Sequence, residues 1–296
     1  MNFAEQAEAF MADVATRTRP NTVHVYRSLL DARILPTIGK EDLANVGNKT
    51  ARLLVGRLAE AHLSPATINL AVTLMKQIVN SAVNEEGEPL YPRTWNSAFI
   101  KAPKVDPDAQ KTPICASGTL QEAITATKGE ISALTALLGG TGLRIGEALA
   151  LSTLDNGIDN LWNPEAGTLL IRATRVHGVV QPAPKTRAGK RTIDLDPALN
   201  VFLRTQLGYD CTQKGYIFPK SELTYRRRLE EHGIHGFHSL RRFRITHLQG
   251  QSVPTSLVKF WAGHAAGDIT ERYTKVGSQI EERKNWSERA GLGFNL

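Results

Sequence analysis

Three separated segments of this 296-residue chain carry side chains that can bind or attack a phosphodiester. The first is Gly142-Leu143-Arg144-Ile145-Gly146-Glu147, and the second is His238-Ser239-Leu240-Arg241. The third starts at Gly263-His264 and runs to Tyr273, nine residues beyond the histidine. Lysines lie between the first and second segments. Breaking a phosphodiester without a metal needs an in-line nucleophile, cations around the non-bridging oxygens, a proton donor for the leaving oxygen, and rigid placement. Arginine suits the oxygens because its planar fork binds two of them and stays charged. Lysine suits the donor role because burial near other cations brings its pKa toward neutrality. Tyrosine suits the attack where nearby cations help its phenol lose a proton. Singly, each residue has a plainer reading. Arg144 could be a solvated side chain pairing with Glu147 one turn on. Tyr273 could be packing, His238 a satisfied core histidine, and His264 a helix cap. Together they favour a metal-free phosphoryl-transfer site.

Elements able to position such a site can be read from periodicity. Phe3, Ala7, Phe10, Met11 and Val14 recur at helical spacing. A second helix is expected over Thr22–Leu30, entered through Pro20-Asn21. A third is expected to be capped by Asn48, with Leu53, Leu54 and Leu58 on its apolar side. Ser64-Pro65 is a strong start signal for a fourth, which carries Ile68, Val72, Met75, Ile78 and Val79 and is expected to end near Asn84. Residues 1–100 therefore predict a small all-helical bundle. Lys101 to Pro113 contains Pro103, Pro107 and Pro113, a composition suited to a linker. Beyond it the pattern is mixed. Helices are expected over Ile131–Leu138 and Ile145–Leu151, on either side of Gly139-Gly140-Thr141-Gly142. Thr168–Val176 and Arg191–Leu195 read as strands. Asp196-Pro197 opens a further helix, and the chain from Ser221 onward is again mostly helical. The predicted class is α+β, mostly helical: an all-α domain over residues 1–104, a linker over 105–111, and a mixed domain with a small antiparallel sheet over 112–296.

Composition narrows the partners. The chain is 41% hydrophobic and 22% charged, as expected of a globular protein. No apolar run is long enough to span a membrane, and no signal peptide is read at the N-terminus. Cys115 and Cys211 are the two cysteines, with no CxxC, so no zinc cluster and a reduced, cytoplasmic protein are expected; no cofactor is expected for the metal-free chemistry above. The net charge of +7 is uneven. Residues 1–110 hold 12 basic and 12 acidic residues, while the remainder holds 24 against 17. A polyanion is drawn to that second part. The run Tyr225-Arg226-Arg227-Arg228 reads as a solvated or phosphate-touching face.

The segment Thr141-Gly142-Leu143-Arg144-Ile145-Gly146-Glu147-Ala148-Leu149 resembles the first box of the tyrosine recombinase (phage integrase) family. His238-Ser239-Leu240-Arg241-Arg242 resembles its second box, and Gly263-His264 followed by Tyr273 resembles the end of that box. The family order of Arg, Lys, His-x-x-Arg, His or Trp, and Tyr is matched at every position, over about residues 112–276 at motif level. Each box alone is weak; the whole order at suitable gaps is specific. The helical N-terminal region and linker resemble the family's core-binding domain less specifically.

The resemblance implies roles. Arg144 and Arg241 would hold the scissile phosphate, and His264 would hydrogen-bond a non-bridging oxygen. His238 would take or shuttle the tyrosine proton. Tyr273 would attack phosphorus, form a 3′-phosphotyrosyl link and release a 5′-hydroxyl. The family's lysine sits on a β-hairpin; Lys185 is favoured, with Lys190 a competitor. Glu147 would orient the framework. The implied partners are double-stranded DNA, further copies of the chain in a tetramer on two sites, and an accessory DNA-bending protein. Residues 277–296 are expected to dock on a neighbouring protomer, as that segment commonly does in the family, with packing on their own domain or fraying as the alternative. Two departures stand out. Ala262 occupies a position where the family more often has leucine, which touches packing. Little chain precedes the helical region, so the arm-site module of larger phage integrases is expected to be absent. The expected activity is site-specific DNA recombination. The rivals are a type IB topoisomerase-like relaxing enzyme, which would rejoin the same strand, and a catalytically inactive DNA-binding accessory protein.

Overall fold

A computed structural model describes residues 1–106, 113–182, 189–208, 215–264 and 276–296. The chain is mostly helical with a small sheet, and it divides into two compact units, Met1–Ala109 and Gln110–Leu296. Among the described residues, no helix is long and apolar enough to cross a membrane.

The first unit is all-helical. Helix α1 (Phe3–Arg17) starts at a reciprocal cap: the Asn2 side chain accepts from the Glu5 N–H, and Glu5 accepts from the Asn2 N–H. Helix α2 (Pro20–Leu29) runs into a wide turn at Leu30–Ile34 and then a single turn, α3 (Leu35–Ile38). Helix α4 spans Asn48–Glu60. Asn48 does not cap it, as the sequence suggested. It is the first residue inside the helix, and its amide joins Thr94 O at 2.9 Å and Asn96 N–H at 2.9 Å. An asparagine beside a helix start has a second use when another loop lies within reach, and here the long-range bonds win. Helix α5 (Pro65–Asn80) has the predicted Ser64 cap but stops four residues before Asn84, where Ser81 closes the last carbonyls. The short α6 (Ser97–Ile100) completes the unit. Phe3, Leu30, Ile34, Leu54, Leu74 and Met75 are fully buried at its centre.

The second unit is built around one helix. Helix α8 (Gly129–Thr141) is buried on all sides from Ser132 onward and packs against α7 (Ser117–Ala126), α10 (Pro197–Leu207) and α12 (Phe237–Gly250). A helix that is apolar all round belongs in a core. Its buried hydroxyls bond main-chain carbonyls: Ser132 to Ile124, Thr135 to Ile131, Thr141 to Leu137. It ends at Gly142, whose φ of +69° is left-handed and whose missing Cβ leaves room for Arg244. One turn later begins the short α9 (Ile145–Leu149).

A four-stranded sheet follows in the order β1 (Leu151–Ser152), β2 (Asn160–Asn163), β3 (Thr168–Ile171) and, at the far edge, the strand Arg191–Asp194. Its pairs are antiparallel except the short parallel pairing of β1 with β2. Ala173–Val176 (β4) and Val179–Pro182 (β5) form a separate hairpin, which makes Arg191–Asp194 strand β6. The stretch Thr168–Val176, expected as one strand, therefore divides between two sheets. The break is held by Asn160, which is fully buried. Its carbonyl oxygen accepts from both Arg172 N and Ala173 N at 2.7 Å, and its amide donates to Glu147 O and Ala173 O. One side chain thus satisfies the main chain where the ladder stops.

Helix α10 opens on the predicted Asp196 cap, and α11 (Glu222–Glu230), α12 and α13 (Thr255–Ala262) follow. The last helix is α14 (Ile280–Ala290). It packs on its own unit. Ala290 and Leu292 join the core, with Trp286 and Phe294 packed against it. Arg283, 3% exposed, meets Asp194 at 2.8 and 3.2 Å and also bonds Gly277 O. Trp261 donates to the same carboxylate at 3.0 Å, and Ser287 donates to the Asp194 carbonyl.

Removing one member of a buried ion pair strands the other. Asp194→Ala is expected to lower unfolding free energy by about 3–5 kcal/mol, measured by urea unfolding, whereas Asp194→Leu with Arg283→Met together should recover most of that loss. Equal destabilisation by the single and double variants would contradict the pairing.

Candidate active site

Arg144, Arg241 and His264 come together although they are far apart in sequence. Arg144 immediately precedes α9 and follows the left-handed turn at Gly142. Gly146, two residues on, lies so close to β4 that a Cβ would sit 2.3 Å from Thr174 Oγ1. Glycine there lets the start of α9, and Arg144 with it, lie against the hairpin. Arg241 lies on α12, one turn after His238. His264 follows Gly263, a left-handed residue (φ +65°) that ends α13.

Arg241 is the buried centre, 4% exposed. Its Nη1 donates to Gly142 O at 2.9 Å, and its Nη2 donates to Ala262 O at 2.6 Å. Ala262 is itself buried and supplies that carbonyl. The same Nη2 lies 2.9 Å from His264 Nε2. Because guanidinium can only donate, Nε2 must accept, and the His264 proton then sits on Nδ1. Burial, followed by repulsion from Arg144, pulls the Arg241 pKa down to about 10, so it stays charged at neutral pH.

Arg144 is half-exposed and donates from Nη1 to Glu147 at 3.0 Å, with Nη2 3.4 Å from Gly263 O. Glu147 lies buried beneath it and also accepts from the Arg144 N–H. Its pKa is lowered: desolvation by burial raises it, and bonds and charges from Arg191 and Arg144 outweigh that. His238 and His264 both stand at the exposed side of the cluster. Their pKa values are lowered, first by desolvation and then by the cations around them: Arg241, Arg242 and Arg144 for His238, Arg241, Arg144, Arg191 and Lys259 for His264. Each shift favours the neutral imidazole.

Lys185 and Tyr273 lie outside the described residues. Lys190, the competing lysine, is exposed just before β6. The residue that sequence reasoning missed is Arg191. It grips both Glu147 oxygens at 3.1 and 2.9 Å and donates from Nε to Trp261 O at 2.8 Å. One signal was present. Arg191 shares a strand face with Ile193, and a charge on an apolar face calls for a buried counter-charge.

The sequence matches no protein-family model and no curated protein sequence. Solved structures do match in shape. The integrase of the Tn1549 transposon in complex with a circular intermediate DNA superposes with a TM-score of 0.69 at 17% identity, covering 96% of this chain and 99% of that one. The same integrase with transposon right end DNA gives 0.67 at 16% identity, covering 90% and 92%. A lambda integrase tetramer bound to a Holliday junction gives 0.62 at 14% identity, covering 93% and 80%. The chain therefore has the fold of the tyrosine recombinases, the integrase class to which these proteins belong.

Proposed function

We propose that this protein is a site-specific DNA recombinase that cuts and rejoins strands through a 3′-phosphotyrosyl intermediate. The observation that carries the proposal is the convergence of Arg144, Arg241 and His264 into one cationic cluster, with His238 at its open side. Cations fixed before the substrate arrives stabilise the charge that builds on phosphorus oxygens in the transition state.

In this reading Arg144 and Arg241 bind the non-bridging oxygens, and His264 adds a hydrogen bond from Nδ1. His238 takes the phenolic proton of Tyr273 as its oxygen forms the bond to phosphorus. The bond from phosphorus to the 5′ oxygen breaks, and that oxygen leaves as a hydroxyl after protonation by Lys185, with Lys190 the alternative donor. Attack by a 5′-hydroxyl on the phosphotyrosine reverses each step and restores Tyr273. The phosphodiester energy is kept in the covalent link, so the exchange needs no outside energy source. Four copies on two DNA sites would exchange strands in pairs. The lambda integrase tetramer on a Holliday junction supports that assembly by its likeness of fold.

The first test uses nicked duplexes carrying the DNA that borders the protein's own gene. Tyr273→Phe is expected to bind as the parent does and to form no covalent adduct on denaturing gels; an adduct that persists in this variant would sink the assignment. The second test is pH dependence. An imidazole must be neutral to accept a proton, and the His238 pKa is held below its ordinary value. Single-turnover adduct formation should thus be flat through neutrality and fall only on the acid side of the ordinary imidazole pKa of about 6.5. His238→Gln should remove that acid limb. A limb unchanged in this variant would assign the titration to another group.

A further inference from the structure

Glu147 is a buried carboxylate shared by two arginines that treat it differently. Arg191 meets it through both ends of its fork, at 3.1 and 2.9 Å, and its side chain is 1% exposed. Arg144 meets it through one nitrogen at 3.0 Å, and its side chain is 44% exposed. A carboxylate offers a limited set of lone-pair directions, and an arginine that fills both oxygens occupies the best of them. The Arg144 main-chain N–H takes another, at 3.0 Å. What remains for the Arg144 side chain is a contact at one end.

We propose that Arg191 is a positioning residue: by occupying Glu147 it keeps the Arg144 guanidinium from closing onto that carboxylate, leaving the fork open for an oxyanion. The part of this that concerns phosphate rests on the phosphoryl-transfer reading above; the part that concerns Arg144 does not. Two cations on one carboxylate leave one positive charge over, and the geometry puts it on the exposed partner. Without Arg191 the buried Glu147 would have a single counter-ion, and desolvation would drive the pair into the two-point grip that Arg191 now holds. Arg191 has a second hold, through Nε, on the Trp261 carbonyl at 2.8 Å. It therefore ties β6 to the end of α13, three residues before His264. Glu147 and Arg191 are 44 residues apart, and Arg191 and Trp261 are 70 apart. One side chain fixes the relation between the Arg144 turn and the His264 turn.

The test reads the reactivity of Arg144 itself. The full-length protein is treated with phenylglyoxal, which modifies accessible guanidinium groups, and Arg144 is followed by peptide mass mapping. Arg191→Met is expected to slow modification of Arg144 roughly tenfold, the scale of one added charge-assisted hydrogen bond. Arg191→Lys, which keeps the charge but cannot hold both oxygens, should fall between. Adding Glu147→Gln to Arg191→Met should restore the parent rate, because the amide no longer pulls on Arg144. The Arg191→Lys series keeps the question open to measurement if Arg191→Met fails to fold. An unchanged Arg144 rate in the Arg191 variants would overturn the proposal. So would a reduced rate that Glu147→Gln does not restore, since that would mean general distortion. Inorganic phosphate in the same assay separates the two readings. If the variants behave as expected but phosphate does not protect Arg144 in the parent protein, the arginine arrangement stands and the phosphate role of the site falls.

Discussion

A carboxylate sealed inside a protein must be matched by cations or it will not stay ionised. Glu147 meets that demand with two arginines and a main-chain N–H, and the second unit is arranged around the result. Its carbonyl accepts from Asn160, whose other bonds hold the break between β3 and β4. Its carboxylate draws in β6 through Arg191, and Arg191 draws in the end of α13. The turn that carries Arg144, strand β6 and the turn that carries His264 are thereby set relative to one residue. Substituting such a hub would be felt in several elements at once, so effects at these positions should couple strongly.

The buried arginines fall into two kinds. Arg191 and Arg283 meet carboxylates, so their charge is cancelled and they act as fasteners. Arg241, Arg244 and Arg175 donate instead to main-chain carbonyls: Gly142 and Ala262, Gly291, and Phe218 with Lys220. Several of those carbonyls lie at helix ends, where the helix dipole is negative and cations are welcome. A carbonyl satisfies the hydrogen bonds of arginine without cancelling its charge. Burial accordingly pulls Arg241 and Arg244 down to about 10, and both remain cationic near neutral pH. The unit thus keeps a net positive field where Arg241 opens toward Arg144 and His264, even though Arg241 is locked in place.

What could be read from the sequence was local. Ser64-Pro65 and Asp196-Pro197 start helices through contacts within three residues, and Gly142 ends one through a backbone angle only glycine takes easily. The histidine and arginine of α12 were read from a four-residue motif and its resemblance to a family box, which needs no long-range pairing. Pairings across 44 to 89 residues, such as Glu147 with Arg191 and Asp194 with Arg283, leave no periodic trace. Strand β2 went unread because asparagine stands at both of its ends and is disfavoured in strands. The groove that α14 fills on its own unit could not be named beforehand, because its scattered apolar residues suit any groove. Tyr273 and Lys185, read from spacing and resemblance, fall outside the described residues.

The far end of the chain is stitched to the beginning of the second unit. Ser117 at the start of α7 donates to Gly293 O, and the Asn295 N–H donates to Gln121, across 176 and 174 residues. Leu292 lies in the core, and a Cβ on Gly140 of the central helix would touch it. During synthesis this unit therefore cannot close its core until Leu292 has left the ribosome. The first unit carries its own core and has no such wait. Translation thus delivers a finished helical bundle well before the arginine cluster can be assembled.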